Sequence, residues 1–206
     1  MPIIFISKSK TFIDYVIKKN YYGFTTNIED FIPVRKTFYV SPTNSLCYMD
    51  DGIDYPLSRI IMPGCEQKLG EELLKVKYID KLDRHYLPIG SSIIVEHDSM
   101  KSLISAPTML IPQDVSSTHN AYYAALSVLH NILINNEYNI DDVDIIFTSM
   151  CCGYGKMSYK ESARQIIKAI RFYRLYNPTS FTENISLCQP NIDEQPRLYA
   201  NLDFFD

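Results

Sequence analysis

The chain has 206 residues, of which 46% are hydrophobic and 21% are charged, and its formal net charge is −4. This length and composition indicate one globular domain and disfavour a disordered chain, a collagen or a coiled coil. The negative charge leaves nucleic-acid binding unsupported, and no apolar run reaches the roughly 20 residues that span a bilayer. We therefore expect a cytoplasmic protein without membrane contact.

The first half of the chain combines short apolar runs with two weak helical patterns. The runs at residues 3–6 and 38–40 predict strands, because continuously apolar segments fit a sheet that is covered on both faces. Residues 54–61 and 66–75 have helical spacing, although proline and glycine interrupt these segments. This half therefore predicts two strands followed by two short helices.

The second half repeats this alternation with a clearer helix. Apolar runs at residues 93–95, 103–106 and 143–147 predict three more strands. Residues 116–135 have the apolar spacing of a long amphipathic helix, with serine and threonine available as the N-cap. Strands that alternate with helices in this way are typical of an α/β domain.

The last predicted helix has the strongest start signal in the chain. It begins at Ser158, where Glu161 completes a capping box, and it continues to Tyr173. Beyond it, several prolines stand among polar residues, which indicates irregular structure. We expect one core domain at residues 1–176 and an irregular tail at residues 177–206 that docks on it.

A polar loop at residues 45–53, the first loop, follows the second predicted strand and lies between Asn44 and Asp54. At the end of a strand, the amide of Asn44 can bond a sugar hydroxyl, while Gly52 lets backbone approach an anion. The carboxylate of Asp54 can orient a water molecule. The alternatives are structural: Asn44 as a turn residue that bonds its own backbone, and Asp54 as the N-cap of the next helix.

The second loop, residues 149–155, joins the fifth predicted strand to the last helix and contains Gly153 and Gly155. A strand, a glycine loop and a helix N-terminus in succession form an anion site from backbone N–H groups. A single Gly-x-Gly is also common in simple turns. Cys151 and Cys152 in this loop are interpreted as small packed residues rather than as a redox pair. The two loops together predict one ligand site.

Several short motifs occur in the order of a known family. The motifs are Ser-Pro-Thr-Asn at 41–44, Met-Asp-Asp-Gly-Ile-Asp at 49–54, Ile-Ser-Ala-Pro-Thr-Met at 104–109, Asn-Ala-Tyr-Tyr-Ala at 120–124 and Gly-Tyr-Gly at 153–155. In that order they resemble a macro domain, most closely a macro-domain-like branch of phages, large viruses and bacteria. The resemblance runs from about Thr37 to Tyr173. It implies a three-layer α/β/α fold with a mixed, mostly parallel central sheet and an ADP-ribose cleft over the strand ends.

The resemblance also implies roles for particular residues. Asn44, at the distal ribose, and Asp54, which positions a water, are the implied catalytic residues. Tyr154 packs on the distal ribose, and Asp30 contacts the adenine amino group. The implied ligand-binding set is Asp30, Phe31, Gly52, Ile53, Cys152, Gly153, Tyr154 and Gly155. No cofactor is implied, and the four histidines lack ligand spacing, so we expect no metal.

One departure from the family lies in the first loop, where Asp50 and Asp51 precede Gly52 in place of the usual run of glycines. A carboxylate about 4 Å from a phosphate costs about 1 kcal/mol in water and about 4 kcal/mol near a protein surface. These two residues therefore argue against tight diphosphate binding unless they face solvent.

The family implies a protein that binds ADP-ribose or a related nucleotide, with ADP-ribose or an ADP-ribosylated macromolecule as its partner. Whether the protein is an enzyme stays open at this point. One alternative is a hydrolase of ADP-ribosyl modifications or a phosphate monoesterase, and another is a non-catalytic reader. A third is a structural viral or phage-like protein with a degenerate cleft, because fold alone does not fix function.

Overall fold

The computed structural model describes residues 2–134, Tyr138 and residues 142–175, so the predicted tail and its docking lie outside the described residues. The strands are β1 (Ile3–Ser7), β2 (Tyr22–Thr25), β3 (Thr37–Ser41), β4 (Ile93–Glu96), β5 (Lys101–Ser105) and β6 (Asp144–Phe147). The helices are α1 (Lys10–Ile17), α2 (Asp54–Pro56), α3 (Cys65–Leu73), α4 (Asn120–Ile134) and α5 (Tyr159–Leu175). A π-helical turn at Leu57–Ile61 continues α2, and a 3-10 turn occupies Ile28–Asp30.

The six strands form one sheet in the order β2-β1-β6-β3-β5-β4. Every neighbouring pair is parallel except β4 and β5, which are antiparallel. The structure thus confirms the predicted mixed, mostly parallel sheet. Because β3, β5 and β6 are parallel neighbours, their carboxyl ends meet at one edge, where open α/β sheets bind ligands.

The sheet lies between two helical layers because its strands present apolar side chains on both faces. Phe38 and Val40 of β3 belong to one core cluster, which also contains residues of α1, α4 and α5. Tyr39, between them, belongs to a second cluster with residues of the π-helical turn and α3. This alternation confirms the predicted three-layer α/β/α arrangement.

The five strands predicted from apolar runs are all present, with ends shifted by one or two residues. The helix predicted to begin at Ser158 is also present, since the Ser158 hydroxyl accepts the Glu161 N–H at 3.2 Å and α5 follows directly. The helix predicted within residues 116–135 is α4, and the two weak patterns correspond to α2 with its π-helical turn and to α3. Among the described helices, none is both long and apolar enough to cross a membrane.

Two elements near the N-terminus, α1 and β2, are not predicted from the sequence. β2 is an edge strand whose side chains Tyr22 and Phe24 are exposed, so it lacks an apolar pattern. Between them, Gly23 fits closely against α1, because a Cβ atom there would lie 3.2 Å from Cγ2 of Ile13 and would make that side chain shift slightly. A missing side chain therefore allows the first helix to lie close against the sheet edge.

Candidate functional site

A cavity of about 460 Å³ opens at the sheet edge where β3, β5 and β6 end. The segments that follow these three strands all contribute to it, together with the start of α5. The lining residues are Pro42, Asn44, Tyr48, Asp50, Asp51, Gly52, Ile53, Asp54, Thr108, Met109, Pro112, Ser149, Cys151, Cys152, Gly153, Tyr154 and Tyr159. Parallel pairing thus brings the two predicted loops into one site, although they are a hundred residues apart in sequence.

Asp54 is the carboxylate best placed for chemistry in this cavity. Its Oδ1 accepts a hydrogen bond from the Ser41 hydroxyl at 2.5 Å, whereas the helix that begins here has Ile53 as its N-cap and no side-chain cap. The alternative reading of Asp54 as an N-cap is therefore wrong. The helix start positions the residue, and its side chain turns back to the end of β3.

The pKa of Asp54 is raised to about 7, chiefly by burial and to a smaller extent by the neighbouring carboxylates of Asp51 and Glu66, against the lowering effect of the Ser41 hydrogen bond. The group is consequently about half ionised at neutral pH. A carboxyl with a pKa near the working pH can exchange protons with a bound water, which is the property that general acid–base catalysis needs.

Asn44 lines the cavity, and it also has the structural role of a turn residue. Its Oδ1 accepts the N–H of Leu46 at 2.9 Å, so the side chain holds the turn that begins the first loop. Its backbone pairs with Met109 in a parallel bridge that extends the contact between β3 and β5. This use of Oδ1 leaves the amide nitrogen as the group that a ligand can contact.

The two carboxylates of the first loop are exposed, and each has its own partner. Asp50 pairs with Arg59 at 3.3 Å. The Oδ1 of Asp51 accepts the Gly52 N–H at 2.6 Å, and the hydroxyl of Tyr154 in the second loop interacts with the same carboxylate. These bonds lower the pKa of Asp51, with the Gly52 bond as the largest cause. Asp51 therefore connects the two loops across the cavity.

The second loop is held by three backbone hydrogen bonds, each 3.0 Å long. The N–H groups of Val115, Lys156 and Met157 donate to the carbonyls of Gly155, Gly153 and Cys151, respectively. Among the described residues, no acceptor is found for the backbone N–H groups of residues 152–155. Three of these residues, Cys152, Gly153 and Tyr154, line the cavity a few residues before α5 begins, so their N–H groups are available to an anion.

The two glycines of the second loop have different physical roles. A Cβ atom at Gly155 would lie 2.4 Å from the Cys151 carbonyl oxygen and 2.7 Å from Cγ2 of Val115, so no other residue fits there. A Cβ at Gly153 would meet nothing within 4 Å. Gly155 thus allows the loop backbone to pack closely against Cys151 and Val115, while Gly153 is exposed at the cavity.

The cysteines of the second loop are packed thiols, as predicted. Cys151 is buried, and its backbone has the left-handed φ of 64°. Burial raises the pKa of Cys152 to about 11, which keeps it protonated at neutral pH. Within the described residues, no group of three or more His, Cys, Asp or Glu side chains is arranged to hold a metal ion.

The remaining predicted residues lie elsewhere or contribute indirectly. Asp30 and Phe31 do not line the cavity, and Asp30 instead accepts a hydrogen bond from the Asn27 amide at 3.0 Å. Their role at an adenine remains a prediction. Tyr48 and Tyr159 line the cavity but were not singled out from the sequence. Tyr48 lies within the first loop and Tyr159 follows the second, so their positions in the sequence could have indicated that they line the cavity.

Comparison with known proteins supports the architecture. No protein-family model and no curated protein matches the chain. Among solved structures, a mutant Oceanobacillus iheyensis macrodomain with ADPR is 16% identical, with a TM-score of 0.54 over 70% of this chain and 73% of that one. The macrodomain of Mycobacterium tuberculosis DarG is also 16% identical, with a TM-score of 0.50 over 66% of this chain and 82% of its own. The chain therefore has the macro-domain fold.

Proposed function

We propose that the cavity binds ADP-ribose or a closely related nucleotide. The observation that carries this proposal is the combination, in one cavity, of three available backbone N–H donors at residues 152–154 with the carboxyl of Asp54. An anion site next to a carboxyl suits a ligand in which a diphosphate adjoins a sugar. The similar Oceanobacillus iheyensis structure contains ADPR, which supports the same ligand class.

The diphosphate is expected to lie on the second loop. A hydrogen bond to a charged group contributes roughly 1.5–3 kcal/mol, so several N–H donors outweigh the repulsion of a single nearby carboxylate. Asp50 is paired with Arg59, which leaves Asp51 as the carboxylate that a diphosphate would meet. The exposure of both residues to solvent screens this repulsion, which reduces the objection to binding that the sequence raised.

The distal ribose is expected between Asn44 and Asp54. The amide nitrogen of Asn44 can donate to a ribose hydroxyl while Oδ1 keeps its turn bond with Leu46. Tyr154, which is 62% exposed and sits on the second loop, offers an aromatic face to the sugar. The sugar and the diphosphate would then occupy adjacent parts of one cavity.

Hydrolysis of an ADP-ribosyl bond is the finer part of the proposal. The ionised carboxyl of Asp54 would accept a hydrogen bond from a water whose oxygen attacks the anomeric carbon. The bond from that carbon to the leaving group breaks, and the leaving group takes up a proton. Ser41 orients the carboxyl through Oδ1, so that Oδ2 is the oxygen available to the water.

Calorimetric titration with ADP-ribose tests binding. We expect the wild type to bind, Asn44→Ala to lose about tenfold in affinity, and Asn44→Asp to separate the two roles, because it keeps the acceptor for Leu46 and removes the amide donor. Thermal unfolding of each variant controls for loss of the turn. Absence of heat with folded wild-type protein would exclude the proposed function.

Release of ADP-ribose from modified substrates tests hydrolysis. We expect Asp54→Asn to lose at least about a hundredfold in turnover while keeping ADP-ribose affinity, since the amide cannot accept a proton. The raised pKa of Asp54 also fits a non-catalytic reader, in which a half-neutral carboxyl only bonds the sugar. Normal affinity without release from any of several linkage types would establish the reader.

A further inference from the structure

The outer face of α5 has an unusual charge distribution. From Lys160 to Arg174, every exposed side chain of this helix is a lysine or an arginine, and the rest are buried or half-buried. The exposed set, named here the α5 basic face, is Lys160, Arg164, Lys168, Arg171 and Arg174. Other helices differ, since the exposed residues of α3 include Gln67, Lys68 and Glu71.

This distribution is unfavourable for the helix by itself. Like charges three or four residues apart on a helix repel each other, and the five cations follow one another at this spacing. Arg164 is compensated by Glu161, with a bond of 2.5 Å between Nη2 and Oε1. Among the described residues, Lys160, Lys168 and Arg171 have no acidic partner within ion-pair distance. Mixed charges would have solvated this face equally well, so an anionic partner is the better explanation.

We propose that the α5 basic face binds the phosphodiester backbone of a nucleic acid. At 1.5 Å per residue the face is about 21 Å long, which covers about six phosphates of one strand at 3.4 Å each. Two of the cations lie over tyrosine rings, Lys168 at 5.5 Å from the centre of Tyr122 and Arg174 at 5.6 Å from that of Tyr21. These contacts hold the charged ends in place on the surface.

A membrane surface is a poorer partner for this face. A helix that lies on a bilayer exposes an apolar stripe, but the apolar side of α5, including Ile166 and Ile170, is fully buried in the core. Arginine, which supplies three of the five cations, also suits phosphate through its planar, bidentate donors. The net charge of −4 does not exclude such a basic face, because a total charge says nothing about how the charges are distributed.

The face is distinct from the cavity, although Tyr159 at the start of α5 lines that cavity. Variants of the basic face should therefore leave ADP-ribose binding unchanged. The two proposals fail independently: loss of oligonucleotide binding tests the face, and the titration with ADP-ribose tests the cavity.

Fluorescence anisotropy of the full chain with a labelled single-stranded 20-mer DNA tests the proposal. We expect binding at low salt, and we expect the triple variant Lys168→Gln, Arg171→Gln, Arg174→Gln to lose at least about tenfold in affinity. The slope of log affinity against log salt should flatten by about 2, which is about 0.7 for each of three lost phosphate contacts. The charge-retaining set Lys168→Arg, Arg171→Lys, Arg174→Lys should keep binding, which separates charge from folding.

The matched control is Lys68→Gln, Lys75→Gln, Lys77→Gln, which changes the same charge at exposed residues in and after α3. Equal loss of affinity in the two triple variants would overturn the proposal, because only the total charge would then matter. No binding by the wild type at low salt would also overturn it. Tighter binding to phosphatidylserine vesicles or to polyglutamate than to the oligonucleotide would show that the face has a different partner.

Discussion

The two loops of the cavity lie side by side but treat negative charge in opposite ways. In the first loop, carboxylates of the chain accept two backbone donors: Glu66 accepts the Met49 N–H at 2.9 Å, and Asp51 accepts the Gly52 N–H at 2.6 Å. In the second loop, the N–H groups of residues 152–155 have no acceptor among the described residues. The first loop thus bonds its backbone to carboxylates of the chain itself, whereas N–H groups of the second loop are available to an anion from outside the chain.

This difference concerns the carboxylates of the first loop. Asp51 accepts the Gly52 N–H at 2.6 Å, so this N–H is already bonded within the chain. A ligand must therefore either displace this carboxylate or bind beside it. Asp54, which is half-buried, accepts a hydrogen bond from Ser41 and takes no part in these contacts.

The largest expected effect comes from reshaping the second loop. In Gly155→Ala the new methyl would lie 2.4 Å from the Cys151 carbonyl oxygen, so the loop must move. Overpacking of this kind costs about 1–3 kcal/mol of stability, and we expect ADP-ribose affinity to fall by at least about tenfold as the donors shift. Calorimetry and thermal unfolding measure the two effects.

Gly153→Ala is the matched control, because its methyl would enter open space. It should change stability by less than about 0.5 kcal/mol. If both variants reduced affinity equally, the loop would act through contact at Gly153 and not through the shape that Gly155 maintains.

A smaller effect, of opposite sign, is expected from the first loop. Asp51→Ala removes a charge and releases both the Gly52 N–H and the Tyr154 hydroxyl. We expect ADP-ribose to bind about fivefold more tightly, from the lost repulsion alone. Asp50→Ala makes the same charge change at a residue that Arg59 already compensates, and it should alter affinity less. Weaker binding in Asp51→Ala would show that the carboxylate assists the ligand.

The remaining effect is on stability and not on ligand affinity, and it concerns the titration of Asp54. Because its folded pKa of about 7 is above the ordinary value of 3.8, the folded protein keeps a proton that the unfolded chain has lost. Stability should therefore be highest at or below about pH 4 for this group and should fall as pH rises to 7, by about 1.4 kcal/mol per pH unit or less.

Urea unfolding at a series of pH values measures this slope against Asp54→Asn, which lacks the titrating group. Asp51→Ala should move the upper end of the slope to lower pH, since the Asp51 charge contributes to the raised pKa of Asp54. Identical pH dependence in wild type and Asp54→Asn would contradict the assignment of the pKa.

The sequence predicts the framework of the molecule better than its details, for physical reasons. Continuous apolar runs identify five of the six strands because those strands are covered on both faces. β2 escapes prediction because Tyr22 and Phe24 at the sheet edge are exposed. Hydrophobic patterns in the sequence arise from burial, so a strand that buries few side chains has no clear pattern by which to predict it.

The site shows the same division. The position of Asn44, Asp54 and the second loop follows from strand ends, which periodicity can locate. The interaction between Asp51 and Tyr154 depends on how closely two distant loops approach, and no local pattern contains that information. The residues of the α5 basic face recur at helical spacing in the sequence. That all of them are exposed can be seen only in the folded chain, where the apolar side of the helix is packed.

The position of β6 in the sheet has a consequence for synthesis of the chain. β6 lies between β1 and β3, yet it is the last strand of the described residues to leave the ribosome. Until residue 147 is available, β1 and β3 each present an unpaired edge, which is the kind of surface through which nascent chains aggregate. The second loop follows β6 immediately, so the cavity is among the last parts of the described fold to form. It can form only after β6 has paired with β1 and β3 at the centre of the sheet.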